Sequence, residues 1–272
     1  MKISVIIPTY KPQNYIWECL NSLVRQTFPK DAFEVIIVLN GCCEPWKSDI
    51  GRYISINMAD MNVRLIQTDQ GGVSNARNIA LDNACGEFIA FIDDDDYVSP
   101  TYLSSLFQNA KGDSTVVLSN AVAVNDGFAD SPVPYKISDV YKQYSGRKHI
   151  SLLSKVRKYF SGPWMKLIPT NIIQDRRFDV RFKNGEDSLY MFLISDKIES
   201  LKFSDASAVY YRRIRQNSAV TSDRSLKDVC INSIRMIKSY SRIFWISPLK
   251  YSFIFYLTRI LAALKTMIIK MT

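Results

Sequence analysis

Residues 86–100 read GEFIAFIDDDDYVSP. Phe88 to Ile92 form an unbroken apolar run, and Asp93, Asp94, Asp95 and Asp96 follow without a spacer. A short apolar run bounded by turn residues predicts a strand over 87–92 that is buried on both faces. Adjacent carboxylates repel one another, and the edge of a core is a poor place to hold four of them ionised. A divalent cation removes that repulsion. Magnesium and manganese take hard oxygen ligands, and one or two carboxylates with substrate phosphates complete the set. The aspartates are contiguous and lack the alternate spacing and sixth-position glycine of an EF-hand loop. The plainer alternative is a solvated acidic turn that leads into a helix opening at Ser99-Pro100 and running to about Ala110.

The surrounding stretches alternate in period. KISVIIP (2–8), FEVIIVL (33–39), NVRLIQT (62–68) and STVVLSNAV (114–122) read as further strands. Between them, residues 13–26 place Ile16, Leu20, Leu23 and Val24 on one helical face. Residues 48–60 read as a second helix, and VSNARNIALDNAC (73–85) as a third, stopped by Gly86. Strands alternating with helices predict an α/β fold with a mainly parallel central sheet covered on both faces. Ligands of such sheets lie beyond the carboxyl ends of the strands. Pro8-Thr9-Tyr10, Asn40-Gly41 and the four aspartates all stand at such ends. After residue 122 the alternation fades. Residues 163–174 read as a short helix or strand pair, 186–198 as a helix and 200–214 as two strands.

Composition narrows the chemistry. The 272 residues are 47% hydrophobic and 22% charged, as in a globular protein. The single histidine, His149, has no partner pattern and reads as a surface loop residue. No GxSxG element accompanies it, so a catalytic base would be a carboxylate. Five scattered cysteines without a CxxC pair predict a reducing compartment and no structural zinc. KISVIIPTY after Met1 has no leader pattern, which predicts a cytoplasmic protein.

The net charge of +9 is concentrated at one end. No acidic residue follows Asp228, while seven basic ones do: Arg235, Lys238, Arg242, Lys250, Arg259, Lys265 and Lys270. Removing those seven from the 35 basic residues leaves 28 against 26 acidic ones, so the body is nearly balanced. Without a nucleic-acid motif, no nucleic-acid partner is expected. Residues 249–271 read as a helix in which Ser252, Arg259, Thr266 and Lys270 share a narrow polar stripe. Arg259 and Lys265 interrupt the run, which makes it a poor membrane span. It suits an anionic membrane surface, or else packing on the catalytic body or on another subunit of a homo-oligomer.

SVIIPTY (4–10), CLNSLVRQT (19–27), EVIIVLNG (34–41), GGVSNARNIAL (71–81) and GEFIAFIDDDDYVSP (86–100), in that order and spacing, resemble the family-2 glycosyltransferases of GT-A fold. The resemblance covers most of residues 1–125. It implies a catalytic domain over 1–225, with a nucleotide-sugar-binding half (1–122) and an acceptor-binding half (123–225), followed by a basic helical tail (226–272). It implies transfer of a sugar from a nucleotide-diphosphate donor, a UDP-sugar favoured, with Mn2+ or Mg2+. The acceptor is a hydroxyl of a polysaccharide or lipid-linked glycan, met at the inner face of the cell membrane. Pro8, Thr9 and Tyr10 would line the nucleotide pocket, and Arg77 would hold the nucleotide or diphosphate. In the DxD motif, Asp94 would face the ribose and Asp95 would ligate the metal, with Asp93 in support; four identical residues leave the register open by one.

Two positions depart from the family. Asn40 stands where an aspartate contacts the base, and an amide replaces part of that contact without charge. Lys11 stands where an asparagine is usual. These departures motivate an alternative, an inactive sugar-nucleotide-binding or membrane scaffold. In NGEDSLYMF (184–192), Glu186 and Asp187 open a helix, where acidic residues are common. The resemblance makes Asp187 the base that takes the acceptor's proton, with Glu186 second. It also puts Trp164 and Lys166 near the acceptor, and Arg213 and Arg215 near the donor phosphates.

Overall fold

The computed structural model describes residues 1–126, 128–147, 150–151, 155–215 and 225–271. His149 lies outside them. The first seven elements are β1 (Ile3–Thr9), α1 (Tyr15–Val24), β2 (Phe33–Asn40), α2 (Trp46–Asn57), β3 (Asn62–Thr68), α3 (Val73–Asn83) and β4 (Phe88–Phe91). They follow the expected alternation to within a few residues. Every residue of β1, β2 and β4 is buried, which is why these strands read as continuous apolar runs. Then come β5 (Tyr97–Val98), α4 (Tyr102–Asn109), β6 (Thr115–Leu118), β7 (Asn120–Asn125), β8 (Phe128–Val133), α5 (Lys136–Tyr144), β9 (Lys166–Pro169) and α6 (Thr170–Ile173). The chain continues through α7 (Glu186–Leu193), β10 (Ser200–Phe203), β11 (Val209–Ile214), α8 (Leu226–Ile246) and α9 (Phe253–Met271).

A seven-stranded sheet runs β10-β6-β9-β4-β1-β2-β3, parallel except for β9, which is antiparallel to both neighbours. A four-stranded sheet, β5-β11-β7-β8, stands beside it. The segment expected to be one strand over 114–122 divides at Ser119 into β6 and β7, which belong to different sheets. Ser119 is fully buried, and its N–H and hydroxyl both donate to the carbonyl of Met165, which turns the chain there.

Gly86 is not the stop of α3, which ends at Asn83 with Ala84 extended after it. A Cβ on Gly86 would lie 2.5 Å from the backbone nitrogen of Ser4, so glycine is required for close packing on β1. The helix expected from Ser99-Pro100 begins slightly later, at Tyr102.

The tail packs on the body through one face. Val229, Met236, Tyr240 and Phe244 of α8 are buried, as is Phe255 of α9. Phe192 of α7 is surrounded by the rings of Tyr240, Tyr251 and Phe255. α9 turns its polar stripe toward the body and part of its apolar surface outward. Arg259, from the polar stripe, donates inward to the carbonyl of Phe160. The apolar residues Phe253, Ile254, Leu257, Leu261, Leu264 and Ile268 are exposed. Among the described residues, no helix is long and apolar enough to cross a membrane.

Candidate active site

The aspartates form the crossing between the two sheets. The N–H of Ile92 makes a last rung to Ile6 at 3.0 Å, and the chain then turns, with the Asp96 N–H donating to the Asp93 carbonyl at 3.1 Å. β11 fixes that turn from the other side. The Tyr210 hydroxyl accepts from the Asp93 N–H at 3.2 Å and donates to Asp96 Oδ2 at 2.7 Å. The Arg213 N–H donates to Asp96 Oδ1 at 2.8 Å, and its Nε donates to the Asp95 carbonyl at 3.0 Å. Asp96 is therefore a buried strut with both oxygens engaged, and burial pushes its pKa well up.

Asp93, Asp94 and Asp95 remain partly open. Carboxylate oxygens of Asp93, Asp95 and Asp96 all lie within 4.8 Å of one another, a hard-oxygen set that suits a divalent cation. Asp95 Oδ2 pairs with Arg215 at 2.5 Å. Burial and the charge of Asp93 raise the Asp95 pKa, and Arg215 opposes them. Asp94 accepts from the Thr9 hydroxyl at the end of β1. Burial carries its pKa up to about 7 against that hydrogen bond.

Arg77 joins this turn to α7. It is 2% exposed. It donates from Nη2 to Asp93 Oδ1 at 3.0 Å and from Nη1 to Asp187 Oδ1 at 2.6 Å. Its guanidinium lies over the Phe178 ring, 5.3 Å from the centroid. Burial raises the pKa of Asp187, and Arg77 holds it back. Glu186 is buried, and its pKa is pushed up to about 7 by burial and then by the charge of Asp187. Its Oε2 has no hydrogen-bond partner among the described residues.

Pro8 and Thr9 are buried, and Tyr10 is 55% exposed beside them. Asn40 is buried and works as a tie: its amide donates to the Thr9 carbonyl at 2.7 Å, and its Oδ1 accepts from the Gly72 N–H at 2.8 Å. Its amide thus ties the end of β1 to the loop before α3, a role that the expected base contact did not include. Gly41, at φ +64°, lets the β2 end approach Gly71 so closely that a Cβ would lie 2.9 Å from the Gly71 Cα.

The two expected acceptor residues separate. Trp164 is half-buried and bridges to Phe91 at the end of β4, next to the aspartates. Lys166 is fully buried, and its ammonium donates to the carbonyls of Tyr159, Gly162 and Trp164 at 2.6–2.8 Å. Burial pulls its pKa down to about 7, against the charge of Asp187. Lys166 is an internal staple that an acceptor does not reach in this conformation. Arg213 is likewise buried and spent on Glu18 and the aspartate turn, whereas Arg215 is the more accessible of the pair.

Sequence reasoning missed Tyr210 and Arg212. Burial works against the charge of Arg212, but Tyr135 and the carboxylates of Asp96 and Asp93 hold it on. The alternation in YYRRIR was the available signal, since it puts Tyr210 and Arg212 on the strand face opposite Arg213.

The sequence profile of glycosyl transferase family 2 matches residues 4–177. The chain belongs to that family. Its fold is the GT-A fold. Over 226 residues it is 30% identical to the poly(ribitol-phosphate) β-N-acetylglucosaminyltransferase TarS of Staphylococcus aureus, covering 82% of this chain and 37% of that protein. The crystal structure of TarS residues 1–349 with UDP-GlcNAc superposes with a TM-score of 0.71 at 28% identity, covering 90% of this chain and 67% of that one. A Campylobacter jejuni protein, GalNAc(5)-diNAcBac-PP-undecaprenol β-1,3-glucosyltransferase, is 28% identical over 224 residues, covering 80% of this chain and 66% of its own length.

Proposed function

We propose that this family-2 member transfers a sugar from a UDP-linked donor, with inversion at the anomeric carbon, to a hydroxyl of a polysaccharide or lipid-linked glycan. The observation that carries this reading is Arg77, which holds Asp93 of the strand-end cluster and Asp187 of α7 in one crevice. Donor and acceptor chemistry need that proximity, because the acceptor loses its proton as the diphosphate departs.

Asp187 takes the acceptor's proton on the oxygen that Arg77 leaves free. Its burial-raised pKa makes it a stronger base than an ordinary aspartate. Thr9 orients Asp94 toward the ribose, and Pro8, Tyr10 and the Asn40 tie shape the nucleotide wall. Asp95 with Asp93 would hold a divalent ion, Mn2+ or Mg2+, which would supply positive charge for the leaving diphosphate. Arg215 exchanges Asp95 for the donor phosphates, and Trp164 offers an aromatic face to the acceptor sugar.

The UDP-GlcNAc complex of TarS supports a UDP-sugar donor. The polymer and undecaprenol-linked names of the relatives support a glycan acceptor. The basic hairpin with an outward apolar face supports work at the inner surface of the cell membrane.

Thermal melts with Mn2+ and UDP-GlcNAc test the reading. Wild type gains stability with both ligands together, and Asp95→Asn loses the manganese-dependent part. Equal shifts in the two proteins would remove Asp95 as a ligand. A scaffold would show the shift without sugar transfer to any acceptor.

A further inference from the structure

A cavity of about 230 Å³ lies between α7 and the α8–α9 hairpin, away from the aspartate turn. Ser188, Asn232, Tyr240, Arg259 and Thr266 line it, and none of its lining residues is acidic. Arg259 donates from Nη2 to the Phe160 carbonyl at 2.7 Å and lies over the Phe255 ring at 4.6 Å. Its Nε is buried without a hydrogen-bond partner, and no carboxylate pairs with it among the described residues. A half-buried guanidinium without a counter-ion is costly to keep.

Nor does its neighbourhood supply that charge. Lys166 grips the same loop from the core side, and the two cations repel each other. The acid that Lys166 feels, Asp187, is bonded to Arg77. Around the deficit stand neutral polar groups. The Ser188 and Tyr240 hydroxyls bond each other at 2.7 Å, and the Asn232 amide donates to the Asn184 carbonyl at 3.2 Å. Together with Arg259 they come from three helices, so they suit a tetrahedral anion that accepts from several directions better than a planar carboxylate.

We propose that this cavity binds a phosphate ester, with Arg259 as its counter-ion and the second N–H of the Asn232 amide as a donor, while the Ser188 and Tyr240 hydroxyls, engaged with each other and with the Gly185 carbonyl, form the neutral polar wall. Ser188 directly follows Asp187, so the ester belongs to the acceptor side. That last assignment rests on the transferase reading above, whereas the binding does not.

The test uses the full chain with UDP and Mn2+ saturating, so that the donor site is filled. Glycerophosphoglycerol, a soluble phosphodiester, and phosphatidylglycerol vesicles are the two probes. The first is read by thermal shift and the second by co-sedimentation. Wild type responds to at least one probe. Arg259→Gln loses the response. Ala263→Glu, one helical turn from Arg259, supplies a carboxylate in place of the ligand: its melting temperature rises without probe and the response disappears. Ala263→Gln keeps the wild-type response, which separates charge from bulk.

A response to the soluble diester identifies a free phosphodiester ligand. A response to vesicles alone, lost in Ala263→Glu and kept in Ala263→Gln, identifies a lipid headgroup. No response to either probe, or equal responses in wild type and Ala263→Glu, overturns the proposal. The shift produced by UDP and Mn2+ is independent of these variants, so its failure would count against the donor site instead.

Discussion

Arg77 is buried and Arg259 half-buried on two flanks of α7, and their surroundings differ. Arg77 lies between two carboxylates, and despite burial the charges of Asp187 and Asp93 raise its pKa. Arg259 meets a backbone carbonyl and a ring, and burial lowers its pKa. The charge of Arg77 is therefore balanced within the chain before any ligand arrives, and that of Arg259 is not. A balanced site is held in shape by its own ion pairs, so breaking one pair should disturb both chemistry and stability. The unbalanced side should respond to what is added.

Asp187→Asn gives the largest expected effect. An amide cannot take the acceptor's proton, so kcat for sugar transfer falls by roughly 10²–10⁴ while donor affinity is largely kept. Steady-state kinetics with separate donor titrations check this; a near-normal kcat would remove Asp187 as the base. Arg77→Leu tests the balance directly. It leaves Asp93 and Asp187 facing each other without their shared cation, and the expected cost is about 3–5 kcal/mol of unfolding free energy. A loss in denaturant melts comparable to that of an exposed ion pair would mean that the bridge is ornamental.

Glu186 sharpens the comparison through pH. Its folded pKa of about 7 lies above the ordinary carboxylate value of 4.5, so the folded state binds its proton more tightly. The associated stability is present at pH 4 and is lost as pH rises through about 7. Glu186→Gln removes that dependence. At pH 8 it should be more stable than wild type, by at most about 3 kcal/mol, and at pH 5 nearly equal. Melts at the two pH values decide; an equal difference at both would mean that Glu186 is already charged in the fold.

How far the sequence carried the reading depended on where the determining contacts lie. β1, β2 and β4 were legible because a strand buried on both faces is apolar along most of its length. Asp187 and the aspartate run were legible as chemistry, but the roles within the run were not. Four identical residues carry no internal signal, and Asp96 becomes the strut only because Tyr210, 114 positions later, and Arg213 close over it. The break at Ser119 has the same cause, since the partner that turns the chain is Met165. The orientation of α9 was left open by the sequence, because one polar stripe on a mostly apolar helix fits two arrangements. Only the Phe160 carbonyl decides that Arg259 faces in.

That inward turn of Arg259 leaves the hairpin with an outward surface unlike any in the catalytic body. Trp245, Ile246 and Leu249 at the α8–α9 turn are 66%, 71% and 102% exposed, and Phe253 continues the patch. Arg242 and Lys250 flank them in sequence, and no acidic residue follows Asp228. Each large apolar side chain transferred from water contributes about 1.5–3 kcal/mol, and each basic residue near an anionic surface about 1 kcal/mol. Trp245→Ser with Leu249→Ser should therefore weaken binding to phosphatidylglycerol vesicles at least about tenfold while changing the melting temperature little, because Leu249 is fully exposed and Trp245 touches the body only edge-on at the Phe244 ring. A second copy of the chain is the competing occupant, since Ile254, Leu257, Leu261, Leu264 and Ile268 recur at alternating three- and four-residue steps. Pairing would bring together two hairpins in which Asp228 is the single acidic residue against seven basic ones after it, which their like charges oppose. Sedimentation of wild type without lipid separates the two. A monomer that binds anionic vesicles, and releases them in high salt, fits the membrane surface; a dimer that dissociates on Leu257→Lys and ignores vesicles would assign the face to a second copy.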